Sequence, residues 1–238
     1  MVTTEQRIQN SPAYVKRRIY WKAVNRIRAS FVKQINRVWE RQLRKFLDGD
    51  FLAVGDAMRI TFVEVGTPFA RDQFKKIIGR KALGDIDNEA DELMARFARD
   101  EMAGNTQSIQ DTTRKLEADI LLLGLGAAAT KIAIDEMIKR RAQIIAQNEI
   151  VTASNVGQQM GADLADRATP EVLVKTWVST IDARIRDAHD RADGETVKNT
   201  ENFVMTGESL NFPKDPSGSA GNTINCRCVM QFQKVKNN

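Results

Sequence analysis

Three side chains in the last quarter of the chain are of types that ligate metals or attack electrophilic carbon: His189, Cys226 and Cys228. They are the chain's one histidine and its two cysteines, so their gathering in one short stretch singles that stretch out. In Cys226-x-Cys228 the thiols are two residues apart, which on a strand turns both to the same side. With His189 they offer three zinc ligands, whereas a closed structural zinc site takes four. Asp182, Asp187, Asp190 or Asp193 could supply the fourth. The same residues admit a cysteine nucleophile with His189 as its base, but neither an oxyanion-hole motif nor a third member accompanies them. A third reading needs no metal: a structural polar cluster of Trp177, Asp182, Arg186, His189, Asn225 and Arg227. There Asp182 pairs with Arg186 or Arg227, and His189 bonds to backbone. Because Arg186 beside a metal cation is unfavourable, the metal-free cluster is preferred. The expectation is therefore no cofactor and no catalytic residue, with zinc on His189, Cys226 and Cys228 as the alternative.

Positioning these residues falls to short β-prone pieces at 173–180 and 228–232, with turn-rich sequence between them and a surface loop expected at 214–221. Ala168-Thr169-Pro170 separates this part from a helical body. Within the body, 68–78 and 89–99 read as helices separated by a breaker at 79–88. Residues 109–124 and 127–165 read as two more, joined around Gly124-Leu125-Gly126. The glycine pair and the alanine-rich stretch 127–133 suggest close helix packing, while 58–65 reads as a short strand or as a helix continuing from Phe51. The fold class expected is α+β: a mainly α-helical N-terminal body with a long basic N-terminal helix, followed by a small α+β C-terminal module. Its divisions fall at 1–104, 105–168 and 169–238.

Ser11-Pro12 is a helix start, with the serine as N-cap and proline in the first turn. After it, Tyr20, Val24, Ile27, Phe31, Ile35 and Val38 recur at helical spacing as an apolar stripe. The charge here is concentrated. Residues 1–45 hold twelve Lys or Arg against Glu5 and Glu40, a surplus of ten, so the rest of a +5 chain sums to about −5. Lys16, Arg17, Arg18, Lys22, Arg26, Arg28, Lys33, Arg37 and Arg41 are the candidate contacts to a phosphate backbone or an acidic partner surface. No base-reading motif accompanies them, so contact with nucleic acid should be independent of sequence and sensitive to salt.

The ten-residue apolar run 120–129 is too short for a stable membrane span, which needs about 20 residues, and is expected to be a buried helix. Two cysteines make no disulfide framework, so a reducing compartment fits, and the polar first ten residues do not read as a signal peptide. No Walker loop, dinucleotide fingerprint or metalloprotease motif is present.

Lys175-x-Trp177, Thr180-x-Asp182, Arg186-x-x-His189, Asp193-Gly194, Phe203, Gly207-x-x-Leu210, Pro213 and Asn225-Cys226-Arg227-Cys228 occur in an order that resembles a known signature. It is the C-terminal signature of the phage Mu F-like head morphogenesis proteins, also called minor head or minor capsid proteins. Upstream, Thr112-Thr113, Leu116, Ile120, Gly124, Gly126, Arg141-Ala142-x-x-Ile145-Ala146 and Glu149 resemble the helical half of the same domain. The resemblance covers roughly 105–232. It implies a virion component of a phage or prophage, held in the capsid interior near the portal and in the host cytoplasm during assembly. The partners implied are the portal protein, the major capsid protein and packaged DNA, with a part in head assembly and DNA packaging or ejection. Many relatives carry Cys-x-x-Cys where Arg186 and His189 stand here, and Arg-Thr where Gln147-Asn148 precede Glu149. An enzyme is not expected. The alternatives are a Mu F-associated enzyme or effector using His189, Cys226 and Cys228, or a non-specific DNA-binding protein.

Overall fold

The computed structural model describes residues 11–79, 86–180 and 182–235. The polar stretch 1–10 lies outside the described residues, as does most of the breaker expected at 79–88. Helix α1 (Pro12–Leu47) starts where the sequence predicts: Ser11 Oγ accepts the Tyr14 backbone N–H at 3.2 Å, and Pro12 occupies the first turn. Next come α2 (Ala53–Thr61), a π-helical turn (Phe62–Gly66) and α3 (Thr67–Ile78), forming one continuous rod. The alternation at 58–65 is therefore helical, and the strand reading is corrected. The wider π turn stands just ahead of Pro68, whose ring would meet the carbonyl of residue 64 in a regular α-helix. α4 (Ile86–Asp100), α5 (Ala103–Leu121) and the 41-residue α6 (Ala127–Arg167) complete the helical body.

The remainder is a small α+β module. β1 (Val172–Val178) is central in an antiparallel sheet, between β2 (Thr196–Lys198) and β5 (Val229–Val235), with Trp177 opposite Met230 and Lys175 opposite Phe232. α7 (Asp187–Arg191) lies between β1 and β2. A hairpin of β3 (Phe203–Met205) and β4 (Glu208–Leu210) and a short α8 (Ala220–Thr223) precede β5. Alternation on β1 buries Leu173, Lys175 and Trp177.

A single hydrophobic cluster runs from Val24, Trp39 and Phe62 through Ile145 and Ile150 to Trp177, Phe203 and Met230. Body and module thus share one core, and α1 belongs to it. Val24, Arg28, Ile35, Trp39, Gln42, Leu43 and Phe46 form its buried face, while Ile27, placed on the apolar stripe by the sequence reading, is exposed. Helix α1 is consequently no separable arm.

Close packing occurs elsewhere than predicted. Gly157 and Gly161 lie one turn apart on α6 and meet the backbone of the π turn and α3. A Cβ on Gly157 would stand 2.1 Å from the Gly66 carbonyl oxygen, and one on Gly161 2.1 Å from that of Ala70. Nothing approaches Gly124 or Gly126, and Ala127, Ala128 and Ala129 are exposed. The run 120–129 is likewise not a buried helix: Leu121, Leu122, Leu123 and Leu125 are all exposed, Leu122 by 84%. The reason is its place at the tip of the α5–α6 hairpin, where Gly124 turns with φ +63° and no further layer can cover it. Among the described residues, no helix is long and apolar enough to cross a membrane.

Candidate functional site

His189, Cys226 and Cys228 do converge, and all three are buried. His189 Nδ1 lies 3.6 Å from Cys226 Sγ and 3.5 Å from Cys228 Sγ. Two elements bring them together. α7 turns His189 inward, where Ser179 Oγ donates to the His189 carbonyl. The strip before β5 enters through Asn225, held in the left-handed region at φ +56°, with its N–H donated to Asn148 Oδ1 at 3.2 Å. Trp177 meets the imidazole edge-on at 5.6 Å between centroids and Phe203 at 5.3 Å.

The thiols are inequivalent. The hydrogen bond from Cys228 brings the Cys226 thiol down to about 7 against the effect of burial, with Lys214 and Arg186 adding positive charge nearby. Cys228, which donates that bond, is pushed well above its ordinary value, chiefly by burial. Both cysteines are buried, Cys228 being 1% and Cys226 3% exposed, and Cys226 borders the recess between α1 and α6.

The donor set falls one short of a closed zinc site. Among the described residues, only His189, Cys226 and Cys228 group as metal-ligating side chains. Asp182 is taken bidentately by Arg227 at 2.5 and 2.8 Å, and Asp193 accepts from Arg17 at 2.8 Å and from the Ser179 N–H. Asp187 and Asp190 are exposed. Three ligands leave the set one short of the four that a closed structural zinc ion takes, and Arg28, Arg186 and Lys214 bring positive charge close by.

The polar cluster expected from sequence divides in two. Trp177 and His189 belong to the buried centre. Asp182 and Arg227 form an ion pair at the surface, and Arg186 donates to the Ile224 carbonyl instead of pairing with Asp182. Beneath them runs a buried polar layer that sequence reasoning missed, centred on Arg28. This residue was placed with the surface contacts and is corrected here: it is 3% exposed. Its Nε donates to Ser154 Oγ and its Nη2 to Asn155 Oδ1, both at 2.7 Å, while Nη1 reaches the Arg227 carbonyl at 3.3 Å. Asn155 in turn donates to the carbonyls of Pro213 and Cys228. Burial lowers the Arg28 guanidinium to about 10, so it stays charged at neutral pH. Trp21 Nε1 donates to the Arg227 carbonyl at 3.1 Å, and Arg17 binds Asp193. One face of α1 therefore clamps the C-terminal strip through Trp21 and Arg28, and Arg17 holds the turn after α7.

Lys214 and Asp215 are also buried, which corrects the surface reading of the first part of loop 214–221. Lys214 donates to Asn148 Oδ1 at 3.0 Å and stands near the buried Glu149, whose carboxyl burial pushes up. Lys175, fully buried on β1, donates to Gln159 Oε1, the Asn211 carbonyl and Asn211 Oδ1, over the Phe203 ring. Burial lowers its ammonium from an ordinary 10.5 to about 8. The folded chain then sheds this proton before the unfolded chain does, so the unfolded state binds more protons between those values. The Lys175 penalty is fully present below pH 8 and is relieved as pH rises towards 10.5. Urea unfolding of wild type and Lys175→Gln at pH 7.5 and 9.5 should show wild type gaining stability relative to the variant at the higher pH; an unchanged difference would refute this.

Of the candidate contact cations, Lys16, Arg18, Lys22, Arg26, Lys33, Arg37 and Arg41 are exposed, and Arg17 is half-buried in its ion pair. Arg18, Lys22, Arg26, Lys33, Arg37 and Arg41 recur at four- and seven-residue steps, forming one row opposite the buried face. Lys45, exposed at the next step, extends it to about 40 Å.

Comparison with known proteins adds independent findings. The family model described as Phage Mu protein F like protein matches residues 94–231, more than half of the chain. The NAD(+)--arginine ADP-ribosyltransferase EFV of Enterococcus faecalis is 33% identical over 90 residues, covering 38% of this chain. The match spans 18% of the length of that curated relative. No solved structure matches the chain.

Proposed function

The chain belongs to the Phage Mu protein F like family, and from that premise we propose that it is a minor head protein held inside the capsid beside the portal. There it links head assembly to DNA packaging or delivery. The observation that supports this role is the exposed cationic row of α1. Duplex DNA carries about one negative charge per 1.7 Å of axis, and an extended band of cations engages such a polyanion without reading bases. An acidic portal surface is the other partner the row would suit. Expected result: the variant Lys22→Glu, Arg26→Glu, Lys33→Glu, Arg37→Glu folds normally but loses duplex affinity. The slope of log K against log salt should flatten by about 0.9 for each phosphate contact removed. Fluorescence anisotropy across a salt series measures both. Equal affinity and slope in the two proteins would exclude the row as the DNA contact, and incorporation of the variant into particles would then report on the portal.

The His189, Cys226 and Cys228 centre acts in this proposal as a metal-free fastener that closes the C-terminal strip against α7. Its support is the missing fourth ligand and the burial of the sulfurs. Elemental analysis of purified protein should find far less than one equivalent of zinc. About one equivalent, lost on Cys226→Ser, would overturn the metal-free assignment.

ADP-ribosyl transfer is the activity named for the Enterococcus faecalis relative, of whose length the match covers 18%. Against an enzymatic reading stands the burial of His189 and both cysteines.

A further inference from the structure

A recess of about 640 Å³ opens between α1, α6 and the turn at 225–227, with Asn225, Cys226 and Arg227 of the fastened strip forming one of its walls. Its lining joins two chemistries. Arg28, Arg184, Arg186 and Arg227 contribute four guanidinium groups, and no carboxylate stands among the described residues that line it. Three of the four have partners within the fold, Arg28 in its buried network, Arg227 on Asp182, and Arg186 through one nitrogen on the Ile224 carbonyl, which leaves its other donors for a ligand. Arg184 is different: its side chain is 79% exposed, with only a 3.6 Å contact to Asp182, and Arg186 stands next to it. The floor is apolar, where Val32 of α1 faces Ile144 of α6, the latter 59% exposed.

We propose that this recess is a docking groove for an acidic peptide segment of a partner protein. The segment's carboxylates engage Arg184 and Arg186, and one apolar side chain covers Val32 and Ile144. Charge complementarity demands an anionic occupant, and guanidinium groups suit carboxylates through paired N–H donors. Two features select peptide over nucleic acid. Single strands are held by stacking bases on aromatic rings, and no aromatic side chain lines the recess. A duplex presents phosphates on a convex surface and has no apolar group to bury on Ile144. A peptide alternating acidic and apolar residues satisfies both walls and floor.

The probe is a labelled peptide of Glu and Asp around a central Leu, titrated by fluorescence anisotropy into the full-length protein. The expected result is saturable binding that weakens about tenfold in Arg184→Gln, in Ile144→Ser, and when the peptide's Leu is replaced by Ser. Both substituted side chains are exposed, and circular dichroism of each variant checks that the fold is retained. A single-stranded or duplex oligonucleotide of equal charge should be insensitive to Ile144→Ser. The proposal fails if the peptide does not bind. It also fails if Leu→Ser and Ile144→Ser leave affinity unchanged while Arg184→Gln weakens peptide and oligonucleotide alike, which would make the recess a phosphate site. Neither outcome depends on the outer row of α1, which the glutamate variant tests separately.

Discussion

Replacing Arg28 with alanine is expected to cost about 2–5 kcal/mol of stability, since each buried acceptor left without its donor costs about 1–3 kcal/mol. Truncation strands the buried Asn155 and Ser154 oxygens, which accept from the guanidinium, while the Arg227 carbonyl keeps its bond from Trp21. Arg28→Lys should recover only part of the loss, because one ammonium cannot serve the hydroxyl, amide and carbonyl acceptors that three guanidinium nitrogens serve at fixed angles. Urea unfolding gives the magnitude. A thiol-reactive reagent gives the location, since Cys226 and Cys228 should label faster once the strip beneath them is released. A loss below about 1 kcal/mol with unchanged labelling would mean that the network does not hold the strip.

Gly157→Val is the second large effect. The added Cβ would lie 2.1 Å from the Gly66 carbonyl oxygen, a backbone atom that moves only if the π turn moves with it. Overpacking commonly costs 1–3 kcal/mol; with two rigid backbones in contact, about 3 kcal/mol or more is expected here. Gly55→Ala is the control. It is also helical, nothing lies within 4 Å of its Cβ position, and the change should be neutral or stabilising by up to about 1 kcal/mol. If thermal unfolding ranked the two variants equally, the close approach of α6 to the π turn would be wrong.

These two positions also mark where the sequence was and was not legible. Helix α1, the boundary near residue 168 and the pairing strands could be read because local signals and burial agree there: a serine cap, a 3.6-residue period, a proline, β-branched runs. The buried face of α1 was read about 60° off, because the stripe ended at Val38 and so left out Trp39, Leu43 and Phe46. Arg28 was consequently read as surface charge. Lys175 occupies an inward position on β1 for a similar reason: its partners Gln159 and Asn211 are supplied by distant segments. The leucines at 121–123 carry the opposite lesson, since composition alone cannot tell a hairpin tip from a core. Convergence of His189 with both cysteines was legible from their rarity. Their enclosure was not, because it depends on α1 lying across the strip.

That clamp has a consequence for how the chain is made. Trp21 bonds the carbonyl of a residue 206 positions later, and Arg28 one 199 positions later. Contacts this distant form late, because the intervening loop must be closed before they return any stabilisation. At a synthesis rate of about 5–20 residues per second, Trp21 waits at least several seconds for its partner, whereas the second half of α1 packs on α2 as soon as that helix is made. A ribosome stalled before residue 227 should therefore leave the first part of α1, around Trp21, more accessible to protease than its second half.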